Sequence, residues 1–125
     1  MNLLKACAAG DTERVRELLA RGADVDETDA DGSTALTRAN REGHVECVRA
    51  LLCAGAHVDR ADGCGWSALM WACFVGNIEC VRALLDGHAD VHLTNFDGAT
   101  ALMLAVRPMH LHVAQLLCAH GALRA

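Results

Sequence analysis

The chain repeats itself at a fixed interval, and that interval limits its possible folds more than any other property. Leu3, Leu36, Leu69 and Leu102 stand thirty-three residues apart, as do Ala6, Ala39, Ala72 and Ala105, and Leu18, Leu51, Leu84 and Leu117. Gly10, Gly43 and Gly76 keep the same register, with Val15, Val48 and Val81 and with Ala23, Ala56, Ala89 and Ala122. A period of this length, held without a slip, is the sequence signature of stacked supersecondary units that share one continuous core. Four units are expected, near 1–28, 29–61, 62–94 and 95–125, together making one domain over 1–125. The first of them lacks its leading turn.

The third unit shows the local pattern most plainly. Leu69, Ala72 and Cys73 fall at i, i+3 and i+4, one stripe of a short helix from about Ser67 to Val75, which Gly76 ends. A second helix from about Asn77 to Asp86 carries Ile78, Val81, Leu84 and Leu85 on one face, with Glu79 and Arg82 opposite. Between units, DETDADGS, DRADGCGW and HLTNFDGA each combine Gly with Asp or Asn, which is turn chemistry and predicts a β-hairpin-like finger. Hydrophobic residues are 53% of the chain and aromatics only 3%, so the core must be built from Ala, Leu, Val and Cys, suiting close helix packing rather than a β-sandwich.

The segments Gly32-Ser33-Thr34-Ala35-Leu36-Thr37, Gly65-Trp66-Ser67-Ala68-Leu69-Met70 and Gly98-Ala99-Thr100-Ala101-Leu102-Met103, with the later Ala, Gly, paired Leu and Gly-Ala positions, resemble the ankyrin repeat family over the whole chain. The resemblance implies an all-α repeat fold, a solenoid of four helix-turn-helix units with hairpin fingers. It also implies a concave groove, lined by fingers and first helices, that recognises protein. The sequence departs from the family pattern where Pro is replaced by Ala35, Ala68 and Ala101, and His by Thr37, Met70 and Met103. The first change removes a pre-set residue at the helix start. The second removes hydrogen bonds that the family's His makes between fingers. His88 stands where Gly22, Gly55 and Gly121 stand, which predicts a strained left-handed residue, and Met109 replaces the inter-helix glycine of Gly10, Gly43 and Gly76. Pro108 is expected to cut the first helix of the last unit short. The apolar Leu104, Val106, Leu111 and Leu116 lead us to expect an array continuing past Ala125.

Equivalent positions in a stack share an environment, so charge in one unit marks exposure in the others. Trp71 matches Lys5, Arg38 and Leu104; Phe74 matches Ala8, Arg41 and Arg107; Val75 matches Ala9, Glu42 and Pro108. This face of the first helix is therefore expected to be open in every unit. In the fingers, Trp66 matches Ser33 and Ala99, and Phe96 matches Gly63 and Ala30. Trp66, Trp71, Phe74, Val75 and Phe96, flanked by Arg38 and Arg41, form the candidate binding face for a protein or peptide. Aromatic anchors with a polar surround are the composition of binding hot spots. The competing reading is that the tryptophans fill gaps in an Ala-rich stack. Asp24, Asp26, Glu27, Asp29 and Asp31 make the first full finger acidic, which would steer basic residues of a partner; turn chemistry alone also explains these acids.

Other functions find little support. A net charge of −5 argues against nucleic acid, and no apolar run is long enough to enter and cross a bilayer. Seven cysteines without CxxC spacing or a secretory leader fit a reducing compartment, cytosol or nucleus. Cys7, Cys47, Cys73, Cys80 and Cys118 read as core fillers, and Cys53 and Cys64 as exposed. His110-x-His112 and His88-x-x-x-His92 have no second ligand pair for a metal. No phosphate loop, nucleophile elbow or paired-carboxylate cleft is visible. The expectation is a non-catalytic scaffold or adaptor module, monomeric, with neither cofactor nor metal. The alternative is a structural segment of a longer array in an adaptor, inhibitor or substrate receptor whose main recognition site lies elsewhere.

Overall fold

A computed structural model describes residues 2–122. Its helices run in order α1 (Leu3–Ala9), α2 (Thr12–Ala20), α3 (Ala35–Glu42), α4 (Val45–Cys53), α5 (Ala68–Val75), α6 (Ile78–Asp86), α7 (Ala101–Val106) and α8 (Leu111–Ala119). Each consecutive pair is one helix-turn-helix unit. The first helices α1, α3, α5 and α7 pack side by side in one layer, and α2, α4, α6 and α8 in a second. The core follows the repeat. Leu36, Leu69, Ala39, Ala72, Leu51, Leu84, Val48 and Val81 are all buried, so each unit seals the apolar face of its neighbour.

Helix starts follow local chemistry. Thr34, Ser67 and Thr100 cap α3, α5 and α7, each side-chain oxygen accepting the backbone N–H three residues on. Ala35, Ala68 and Ala101 therefore hold the first helical position. The family's proline would stand there. In α5 the Met70 sulfur accepts the Ser67 N–H at 3.4 Å, closing a box around the cap.

The ends of the first helices explain the repeated glycine. Gly10, Gly43 and Gly76 are left-handed, with φ of 74°, 77° and 84°. A Cβ at Gly10 or Gly76 would also meet the ring of His44 or His110, 2.7 Å and 2.5 Å away. Those rings belong to the next unit. His44 Nε2 donates to the Ala8 carbonyl at 3.1 Å, His110 Nε2 to the Phe74 carbonyl at 3.0 Å, and Asn77 Nδ2 to the Gly43 carbonyl at 3.1 Å. The residue that opens each second helix thus ties its unit to the preceding one. In the fourth unit α7 ends at Val106, just before Pro108, and Met109 takes the left-handed turn at φ 65°. His88 is likewise left-handed at φ 66°, whereas Gly22, Gly55 and Gly121 hold that conformation without a side chain to strain it.

The fingers are tighter than a hairpin ladder. Among the described residues only two isolated bridges occur, Thr28 with Thr34 and Thr94 with Thr100. Their main scaffold is a side chain. Asp29 Oδ1 accepts the N–H groups of Asp31 and Ser33, Asp62 Oδ1 those of Cys64 and Trp66, and Asn95 Oδ1 those of Asp97 and Ala99. Adjacent fingers are joined at their tips through backbone, Gly63 N–H to the Asp31 carbonyl at 2.8 Å and Phe96 N–H to the Cys64 carbonyl at 3.3 Å, and at their bases through carboxylates, Asp26 Oδ1 accepting the His57 N–H at 2.9 Å and Asp59 Oδ1 the Asp90 N–H at 2.8 Å. This backbone joint links the fingers where Thr37, Met70 and Met103 cannot supply the bonds of the family's His.

Two expectations need correction. Leu104 is buried, 4% exposed, so the outer face of the first helix is not open in every unit. With no polar tip to keep in water, Leu104 turns inward where Lys5 reaches out. Cys118 is exposed rather than a core filler, because among the described residues no further unit covers α8 where α6 and its neighbours are covered. Cys7, Cys47, Cys73 and Cys80 are buried as expected, and Cys53 and Cys64 exposed.

Candidate protein-interaction face

The second oxygen of each finger carboxylate determines how the face is built. Asp29 Oδ2 accepts from Arg38 Nε at 2.9 Å and from Nη2, and Asp62 Oδ2 accepts from Trp71 Nε1 at 3.0 Å. Arg38 and Trp71 occupy the same repeat position, so a side chain of the first helix clamps its own finger in both units. In the fourth unit the corresponding pair is Asn95 and Leu104, an amide without the charge beside a side chain without a donor. Acid and donor occur together and disappear together. Burial opposes ionisation of Asp29, but the hydrogen bonds from Arg38 and from the Ser33 and Asp31 N–H groups, with the charge of Arg38, hold its carboxyl below the usual range.

The third unit carries a compact aromatic cluster on this clamp. Trp66 and Trp71 have ring centroids 4.4 Å apart at an interplanar angle of 34°. Phe74, one turn after Trp71, meets Trp66 edge-on at 5.5 Å and Trp71 at 6.3 Å. From α3, the Arg41 guanidinium lies over the Trp71 ring, 5.0 Å from its centroid. Both tryptophans are half-buried, and Trp66 packs against the core, while Phe74 remains 44% exposed beside the exposed Val75. The tryptophans thus both fill the stack and support an apolar surface.

Other candidates take different places. Phe96 is 79% exposed at the tip of the fourth unit's finger, its ring against Gly65, and no ring pair among the described residues joins it to the cluster. Asp29 is committed to Arg38 and to its own turn, and Asp24 and Asp26 to the N–H groups of Asp26 and His57. Asp31 and Glu27 are exposed. A groove of about 640 Å³ lies between the fingers of the second and third units, lined by Asp31, Arg41, Asp62, Cys64 and Trp71 among others. Asp62 was absent from the sequence-based candidates. It stands nine residues before Trp71 as Asp29 stands nine before Arg38, and that recurring offset was its available signal.

Stacked helix pairs with tight fingers match a known architecture at the level of sequence as well. A family model described as ankyrin repeats (3 copies) matches residues 2–62 and again 56–123. The chain belongs to the ankyrin repeat family. A stretch of 36 residues, 29% of this ankyrin chain, is 58% identical to protein phosphatase 1 regulatory subunit 12B of Homo sapiens and 56% identical to that of Mus musculus. The match spans 4% of the length of each of those relatives. Ankyrin repeats are protein-interaction modules in general. Burial pushes the thiols of Cys7 and Cys73 up to about 12 and that of Cys80 up to about 11, so all three stay protonated at neutral pH. Among the described residues no group of three or more His, Cys, Asp or Glu converges as a metal site, and no helix is long and apolar enough to cross a membrane.

Proposed function

We propose that this ankyrin stack is a non-catalytic recognition module whose concave face, centred on Trp66, Trp71 and Phe74, binds a peptide or protein segment bearing apolar and basic residues. The observation that carries the reading is the joining of the three rings into one cluster with Phe74 left 44% exposed. Isolated exposed rings are ordinary, whereas a rigid aromatic surface bordered by polar groups is what hot spots require. Val75 extends the apolar area, Arg38 and Arg41 flank it, and the exposed Asp31 faces the groove beside it. Phe96 and Asp29 border this surface rather than form it. The similarity to a phosphatase regulatory subunit supports a partner-binding role without catalysis, and a reducing cytosolic or nuclear setting suits the free thiols.

The test is selection of phage-displayed random peptides on the wild type, followed by affinity measurements on the double variant Trp71→Arg/Phe74→Ala. Arg at 71 copies the clamp that Arg38 makes in the second unit, so the finger stays anchored while the aromatic surface is lost. Enriched peptides should carry apolar and basic residues and lose at least about ten-fold in affinity on the variant. Equal affinity for both proteins would refute the placement of the site.

A further inference from the structure

Charge divides by side across the groove between the fingers and the first helices. The finger residues 28–34, 61–67 and 94–100 include Asp29, Asp31, Asp62 and Asp97 and no Lys or Arg. The helix residues 35–42, 68–75 and 101–108 include Arg38, Arg41 and Arg107 and one acid, Glu42. Asp29 is engaged by Arg38, and Asp62 by the Trp71 indole N–H. Asp31 and Asp97 on the finger side, and Arg41 and Arg107 on the helix side, are exposed and have no ion-pair partner among the described residues. The two sides line one space, where Asp31 and Asp62 meet Arg41 and Trp71.

Register gives these charges an order. Arg41, Phe74 and Arg107 occupy one repeat position in successive units, so two cations flank the exposed phenyl ring. Arg41 and Phe74 are exposed although a further unit packs beyond each, so the exposure of Arg107 belongs to the position rather than to its place in the stack. The Arg41 guanidinium lies over the Trp71 ring, 5.0 Å from its centroid, which leaves its in-plane N–H groups free to pair with a carboxylate. Neighbouring packed helices are about 8 to 10 Å apart. A polyproline II segment returns to the same face every third residue, about 9 Å along, and so keeps step with the row. A β-strand returns every second residue, about 6.6 Å along, and falls out of step.

We propose that the groove takes a polyproline II segment of a partner protein with an apolar residue on Phe74 and a carboxylate three residues to either side, on Arg41 and Arg107. The segment's basic residues lie along its other edge, towards Asp31 and Asp97. The inference rests on the recognition role proposed above for Trp66, Trp71 and Phe74, and adds the conformation and charge order of the occupant.

The experiment measures fluorescence anisotropy of a labelled synthetic peptide of about 11 residues, about 34 Å long in this conformation. It carries Leu at its centre, Glu three residues to either side, Lys beside each Glu and Pro elsewhere. A control of the same composition places each Glu two residues from Leu, in strand register. The first peptide should bind at least about ten-fold tighter than the control and weaken as salt rises. Arg107→Glu should lower its affinity by about ten-fold and Arg107→Gln by about three-fold, and neither disturbs a contact that holds the exposed Arg107 in the stack. On Arg41→Glu/Arg107→Glu the Glu peptide should lose binding, and a peptide with Lys in place of both Glu should regain it. Equal affinity in the two registers, binding of neither peptide, or indifference to Arg107→Glu would overturn the inference. If phage-selected peptides lose affinity on Trp71→Arg/Phe74→Ala but ignore Arg107→Glu, the aromatic site stands and its charge order is refuted. Binding of the Glu peptide that survives Trp71→Arg/Phe74→Ala would refute the aromatic site, and this inference with it.

Discussion

The finger clamp gives the most direct measurement of how this ankyrin stack holds its aromatic surface. In the third unit the Trp71 indole N–H donates to a half-buried Asp62 carboxylate at 3.0 Å. A hydrogen bond to a charged group contributes about 1.5 to 3 kcal/mol, and partial exposure of both partners reduces this to about 1 kcal/mol. Trp71→Leu forfeits that bond and the stacking against Trp66, itself about 0.5 to 1.5 kcal/mol, for a total of about 2 kcal/mol. Trp71→Arg loses the stacking but can renew the clamp as Arg38 does with Asp29 at 2.9 Å, so it should be less destabilising than Trp71→Leu by about 1 kcal/mol. Asp62→Asn combined with Trp71→Leu recreates the Asn95 and Leu104 pair of the fourth unit, whose finger folds with the same turn bonds. Urea unfolding of wild type, Asp62→Asn, Trp71→Leu and the double variant closes a cycle. A favourable coupling of about 1 kcal/mol is expected. Coupling below about 0.3 kcal/mol, within the additivity of independent sites, would show that acid and donor do not act as a unit and would refute the clamp.

Two other substitutions test backbone strain and buried polarity. His88→Gly relieves an exposed residue at φ 66° and should stabilise by about 1 kcal/mol, read as a rise of about 3 to 5 °C in thermal midpoint; no change would mean the strain is absorbed elsewhere. Asn40 is fully buried and donates to the Leu36 carbonyl at 2.8 Å, but its Oδ1 has no hydrogen-bond partner. Its sister positions bury Cys7 and Cys73, so Asn40→Cys should raise stability by about 1 kcal/mol in chemical denaturation, and a loss would show that the amide is satisfied in solution.

Much of the architecture was legible in the residues. The fixed period placed every helix pair, because buried positions recur only where units meet in one way, and Leu36, Leu69, Val48 and Val81 are buried as their register requires. Local chemistry was equally readable at His88 and Pro108, where conformation depends on the residue itself and its chain neighbours. The candidate face was legible in part. Comparison between sister repeats identified Trp66, Trp71 and Phe74 as departures, but it treated Arg38, Asp29 and Trp71 as independent surface groups. It also carried the exposure of Lys5 over to Leu104, which is buried.

The sequence by itself determined the number of units, their register and the residues of the shared core, since a strict repeat leaves one way to bury the apolar stripes. Tertiary structure decided what no spacing states: that Asp62 holds Trp71, that the three rings meet while Phe96 stands apart, and that Met103, Val106 and Cys118 lie in the open although Met70, Cys73 and Leu85 at the same positions of the third unit are buried. The physical reason is that repetition fixes which position faces a neighbour, whereas exposure and hydrogen bonding depend on whether that neighbour is present and which side chain it offers.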